Sequence, residues 1–161
     1  MKRLWAPWRM AWITASKAPA AGCVFCSARD GHDDRASLLL RRSEHAFLIL
    51  NSFPYAPGHL MAVINRHTGA LVEAGTDELA DAMGLVQRAV SALTAEYRPD
   101  GFNVGFNQGR AAGAGIDDHL HIHVVPRWSG DSNFMSVLDD TRVLPETLET
   151  SYERLKAALN G

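Results

Sequence analysis

A chain of 161 residues, 47% hydrophobic and 21% charged, has the balance of one globular domain and not of a disordered segment. Sixteen basic residues against eighteen acidic ones leave a formal charge of −2, which argues against a general nucleic-acid or anionic-membrane binder, whose affinity comes from clustered Lys and Arg. The uncharged stretch 46–65 is broken by Asn51, Pro54, Pro57 and Gly58, so it does not read as a transmembrane span.

In chain order, residues 1–22 are rich in Trp, Pro and Ala without a period and read as an irregular arm carrying Trp5, Trp8 and Trp12, ahead of one domain over 23–161. The basic start and the Ala-x-Ala at 18–20 are features of a signal peptide. Pro7 and Arg9 interrupt the apolar stretch such a peptide needs, so the chain reads as cytoplasmic. The two cysteines, Cys23 and Cys26, are too few for a secreted disulfide framework and stand at the spacing of a metal or redox pair. Short apolar runs predict strands at 38–40, 46–50 and 60–64, with a turn at 41–44 and a Pro/Gly turn at 52–58. Thr76 reads as the N-cap of a helix with Leu79, Met83, Val86, Val90 and Leu93 on its apolar face, stopped near Tyr97 by Pro99. Phe102, Val104 and Phe106 alternate with polar or small residues in a half-buried strand. Leu120, Ile122 and Val124 alternate with His119, His121 and His123 in another, and a last helix is predicted over 145–159. The pattern is α+β on an antiparallel sheet of about five strands with two helices.

Three imidazoles on one strand face, about 6–7 Å apart, are not what a structural sheet selects, since Val, Ile or Thr fill such positions better. The alternatives are an exposed polar face, a metal site, or nucleophilic catalysis by imidazole. The small-residue loop 107–116 runs straight into this strand. Such loops let backbone N–H groups approach an oxyanion, which favours a phosphate held beside a nitrogen nucleophile.

His119-Leu120-His121-Ile122-His123-Val124-Val125 resembles the signature of the histidine triad (HIT) superfamily of nucleotide hydrolases and transferases, and the resemblance runs from about Cys23 to Met135. Asn51 to His59, with Pro57-Gly58 before the His, is similar to the nucleotide-side turn of the fragile histidine triad branch. The segment 4–9, the segment 113–121 and Asn133-Phe134-Met135 resemble the bacterial branch described as diadenosine tetraphosphate phosphorylases. The resemblance implies a HIT-like fold paired into a homodimer, an expectation that the apolar helix at 79–93 and the Trp-rich arm also favour.

It further implies that His121 is the nucleophile forming a nucleotidyl-imidazole, and that His123 touches phosphate oxygens and assists the leaving group. Asn107 and the backbone around Gly115 and Ile116 would brace the phosphate, while Ile49, Asn51, His59 and Met61 would line the nucleotide pocket. The alternative for His59 is an ordinary turn histidine. Gly115 stands where the fragile branch carries a Gln, so the acceptor is either water, making a hydrolase, or inorganic phosphate, making a phosphorylase, with the opened loop favouring phosphate. Many bacterial relatives pair two such cysteines with histidines matching His67 and His119 around structural zinc; reduced thiols or a redox pair are the alternatives. No organic cofactor is implied. The rivals to an enzyme are a purine-nucleotide-binding signalling module and a zinc protein whose histidines all serve metal. His32 and His45 read as surface residues. Asp117 and Asp118 would repel substrate phosphates unless they face away or orient Arg127.

Overall fold

The structure, a computed structural model, describes residues 22–131 and 146–160. Trp5, Trp8, Trp12 and Asn133-Phe134-Met135 lie outside the described residues. Strands β1 (Leu39–Arg42), β2 (Ala46–Leu50), β3 (Leu60–Ile64), β4 (Gly101–Gly105) and β5 (His121–Arg127) form one antiparallel sheet in the order β1-β2-β3-β5-β4. Among the described residues there are three α-helices, one more than the sequence pattern predicts: α1 (Val24–Asp30), α2 (Thr76–Tyr97) and α3 (Leu148–Asn160). At seven residues, α1 is too short to show a helical period, which is why it escapes a pattern reading.

β2 and β3 are buried along their whole length, so their alternate side chains feed two separate cores. Leu48, Leu50, Leu60, Ala62, Leu120, Ile122 and Val124 meet α2 and α3 on one face. On the other face Phe47, Ile49, Met61 and Val63 pack with Phe25 and Ala28 of α1. The inward stripe of α2 overlaps the expected one and is wider: Val86 and Leu93 are buried, and Leu79 and Val90 pack against the core. Ala82, Leu85, Val86, Ala89, Ala92 and Leu93 are buried, whereas Met83 is 47% exposed. Small Ala side chains let a helix lie close on a sheet, so Ala82, Ala89 and Ala92 widen the buried stripe beside Leu85, Val86 and Leu93.

Two other boundaries shift. Arg41 and Arg42 belong to β1, not to a turn, and Leu38 stands outside the strand with φ +59. Thr76 is the first helical residue and Gly75 the cap: the Glu78 carboxylate reaches back 2.7 Å to accept the Gly75 N–H. β4 is an edge strand and Phe106 lies beyond it, so Val104 and Phe106 are 45% and 38% exposed instead of half-buried.

The loop after β3 and the segment leading into β5 are pressed together at Gly69. A Cβ there would stand 2.1 Å from the Asp117 carbonyl oxygen, so only glycine fits. Gly69→Ala is expected to cost about 2–3 kcal/mol by overpacking, read as a lower urea midpoint at unchanged m. A shift below about 0.5 kcal/mol would show that the loops separate freely.

Candidate active site and metal centre

His121 and His123 project from β5 onto the sheet face opposite α2 and α3, beside Val63 and Met61, their register partners on β3. His119 precedes the strand by two residues. It is held because the Leu120 N–H donates to the Thr68 carbonyl at 2.7 Å, which carries strand-like alternation back to it. The Phe25 ring touches His119 edge-on at 5.4 Å and His121 at 5.0 Å. Phe25 was not singled out from the sequence. Its signal was an aromatic residue between two cysteines, which packs the helix bearing them against the histidines.

Each ring has a tautomer dictated by its partners. His121 Nδ1 lies 2.8 Å from the His119 carbonyl, to which only an N–H can bond, so Nε2 carries the free lone pair. His119 Nε2 lies 2.7 Å from the Ile64 carbonyl, which by the same reasoning leaves its Nδ1 lone pair free. His59 Nδ1 accepts the Tyr55 N–H at 3.1 Å, so its proton is on Nε2, 2.9 Å from His123 Nδ1. His123 therefore accepts at Nδ1 and holds its own proton on Nε2. Asn51 belongs to the same chain of contacts, with Nδ2 3.4 Å from His59 Nδ1. His59 is completely buried and no ordinary turn histidine. Gly58, at φ +74, gives the turn into it a backbone that other residues avoid, and a Cβ there would sit 2.7 Å from Leu93 of α2.

Burial makes the charged imidazolium costly. It holds His121 below the usual histidine value of 6.5 despite the carbonyl bond, and with the neighbouring His121 it brings His123 down to about 4. Both rings are neutral near pH 7. One presents a bare nitrogen, and the other, with ring centroids 4.9 Å away, presents an N–H. That pair can attack an electrophile and protonate what leaves.

Ile49 pairs with Met61 across β2 and β3, and both lie in the apolar cluster on the histidine face, with Ile116 packed against it. Asn107 is half-buried just past β4, and Gly115 half-buried in the loop that leads to His119. Gln108 faces elsewhere: its side-chain oxygen accepts the Leu71 N–H at 2.8 Å. His32 is exposed. His45 is half-buried, with its ring 3.7 Å from Glu44 and its backbone N–H donated to Asp81 at 2.7 Å.

Beyond the triad, Cys23, Cys26, His67 and His119 bring their ligand atoms within 4.8 Å of one another. Three of the edges are 3.3 Å (Cys23 Sγ to His119 Nδ1), 3.5 Å (Cys26 Sγ to His67 Nδ1) and 3.7 Å (Cys26 Sγ to His119 Nδ1). A tetrahedral ion with metal–sulfur and metal–nitrogen bonds of about 2.3 and 2.0–2.1 Å sets S···N edges at about 3.6 Å, so the donor set fits a tetrahedral metal ion. Burial and the adjacent Cys23 push the Cys26 thiol up, so a shared cation is what lets both sulfurs be thiolates together.

The two aspartates beside the triad are taken up by partners in the loops. Asp118 lies 3.8 Å from His67 Nε2, on the side of that ring away from the cysteines, and Asp117 pairs with Arg110 at 2.8 Å. Neither orients Arg127, which is held by Asp131 and Asn103. The alternation of strand residues puts a carboxylate next to a histidine in sequence, but the loop before β5 turns the two in different directions.

The HIT domain family model matches residues 34–130. A Mycobacterium tuberculosis protein named AP-4-A phosphorylase is 36% identical over 163 residues, covering 96% of this chain and 83% of its own. The crystal structure of a Zn-bound histidine triad family protein from Mycobacterium smegmatis matches with a TM-score of 0.68 at 28% identity, over 86% of this chain and 94% of that one. A hypothetical histidine triad nucleotide-binding protein from Sulfolobus tokodaii shares the fold at a TM-score of 0.67 and 24% identity, over 86% of this chain and 92% of its own.

Proposed function

This chain belongs to the HIT domain family, and from that premise we propose that it is a dinucleoside polyphosphate phosphorylase working through a nucleotidyl-His121 intermediate. The observation that carries the reading is the fixed pair of tautomers, a bare Nε2 on His121 beside an N–H on His123. The 36% identity with an AP-4-A phosphorylase over nearly the whole chain supports the substrate class.

In the first step His121 Nε2 attacks the α-phosphorus, a P–N bond forms, and the P–O bond to the polyphosphate breaks. The leaving oxygen takes the proton from His123 Nε2. The His119 carbonyl, bonded to Nδ1–H, stabilises the positive charge that grows on the His121 ring. His59 holds the His123 ring in place, and Asn51 secures His59. In this reading Ile49, Met61 and Ile116 seat the nucleoside, while Asn107 and the backbone around Gly115 take the non-bridging oxygens. In the second step inorganic phosphate attacks the phosphorus, its proton returns to His123, and His121 leaves as a neutral ring. With diadenosine tetraphosphate the products are ATP and then ADP.

Zinc is the ion this reading gives to Cys23, Cys26, His67 and His119. The two-sulfur, two-nitrogen donor set supports it, as does the Zn-bound relative. It would supply a closed structural crosslink and no chemistry on the substrate. A homodimer belongs to the same reading, supported by edge strand β4 with the exposed Val104 and Phe106 at its end. A reducing, cytoplasmic compartment suits the free thiols. Among the described residues no helix is long and apolar enough to cross a membrane.

Incubation with diadenosine tetraphosphate, with and without phosphate, tests the acceptor. ADP and ATP, formed at a rate that rises with phosphate, are expected. AMP and ATP formed at a phosphate-independent rate would overturn the phosphorylase reading.

A further inference from the structure

The histidines lie in a line with a direction. Into and along β5 come His119, just before the strand at the metal cluster, His121 with its bare nitrogen, and His123 with its N–H. Beyond His123 is the Tyr55 ring, 6.1 Å away and 4.7 Å from His59. In phosphoryl transfer the attacking and leaving atoms are roughly in line through phosphorus. A group expelled by His121 and protonated at His123 therefore departs towards the loop 51–58, the connection between β2 and β3.

That loop is ordered in an unusual way: it is tied to the catalytic histidines while the Phe53 ring stands in solvent and the Tyr55 ring, packed on His59, stays partly exposed. Asn51 Oδ1 accepts the Phe53 N–H at 2.9 Å, the Tyr55 N–H goes to His59 Nδ1, and the His59 N–H donates to the Ala56 carbonyl at 3.2 Å. Pro54 and Pro57 restrict the backbone further. Yet Phe53 is 64% exposed and Tyr55 43% exposed. Large apolar rings on a braced loop, not used to fill a core, are suited to stacking on a flat partner.

From this placement we infer that Phe53 and Tyr55 form a stacking subsite for the second nucleobase of a dinucleoside polyphosphate, the one that leaves with the polyphosphate. The inference rests on the proposed reaction only for the direction in which the tail runs. It assigns the loop a specificity role: a substrate bearing a base at both ends gains a contact that a nucleoside polyphosphate with one base lacks. Base–aromatic stacking lost to alanine weakens binding by roughly 5- to 150-fold, so a change of about tenfold is the expected scale.

The test is calorimetric binding of two uncleavable, methylene-bridged ligands, the analogues of diadenosine tetraphosphate and of adenosine 5′-tetraphosphate, to the full chain and to Phe53→Ala, Tyr55→Ala and Phe53→Tyr. The alanine variants are expected to bind the two-base ligand about tenfold more weakly and the one-base ligand within twofold of the parent. Phe53→Tyr should bind both normally. Equal weakening of both ligands would assign the rings a merely structural role, and unchanged binding of both would leave them outside the site. Either result overturns the subsite. Because binding is read without turnover, selective loss of the two-base ligand upholds the subsite even if phosphorolysis itself is absent, which separates failure of this inference from failure of the proposed reaction.

Discussion

His121→Asn is expected to lower turnover of diadenosine tetraphosphate by about four orders of magnitude or more while leaving nucleotide affinity within a few-fold. The side chain is buried against Phe25, and an amide of similar reach keeps that packing. Its NH2 group can still donate to the His119 carbonyl, the bond that Nδ1 makes at 2.8 Å. What it lacks is a nitrogen with an available lone pair, because the amide nitrogen is conjugated and donates only. The covalent route is lost, and the residual rate is that of positioning alone. Single-turnover kinetics with rapid quenching is the measurement. The parent should yield a nucleotidylated peptide spanning His121, and the variant none. A variant within tenfold of the parent rate, or a parent without the adduct, sinks the mechanism.

Stripping the metal centre should cost stability before it costs chemistry. The four ligands come from three separated stretches: the start of α1, the loop after β3, and the segment leading into β5. A structural zinc in small finger peptides is worth about 10–16 kcal/mol of apparent binding energy at neutral pH. If only a third of that supports this larger fold, at roughly 2–4 °C per kcal/mol, Tm falls by about 10 °C or more. Dialysis against a chelator and Cys26→Ser should both show that fall in scanning calorimetry, together with loss of about one equivalent of zinc per chain. Turnover at 20 °C should decline less than tenfold, since His121 and His123 are positioned by β5, its register with β3 and the buried His59. Less than half an equivalent of zinc in the purified protein, or a Tm that moves by under 2 °C, would count against a structural ion.

How far the sequence reached depended on the range over which each interaction acts. Alternation along a strand is local, so the segment 119–125 announced at once that its histidines share one face and its Leu, Ile and Val the other. The five strands were legible for the same reason, as were the start of α2 near Thr76 and its end at Tyr97. Periodicity found Leu79, Val86, Val90 and Leu93 on the inward side of α2 but misplaced Met83: it scores as strongly apolar, while Ala82 and Ala89 are the residues small enough to sit on the sheet. The resemblance to the HIT family named the cysteine pair and the two histidines as one ligand set, and their atoms do converge.

The sequence by itself determined the chemistry available here: imidazoles at strand spacing, two soft thiols three positions apart, and a small-residue loop leading into the histidines. Those properties belong to residue types and near neighbours, and no folding is needed to state them. Only the tertiary structure decided which nitrogen of each ring carries the proton. That depends on carbonyls and rings that folding brings up from elsewhere: Ile64 for His119, and His59, itself set by the Tyr55 N–H, for His123. It also decided that Asp118 approaches His67 while Asp117 holds Arg110, since a carboxylate's direction follows from the path of its loop and not from its place in the chain. Proton position is a matter of fractions of an ångström between atoms as many as 64 residues apart, and a linear pattern has no means of encoding it.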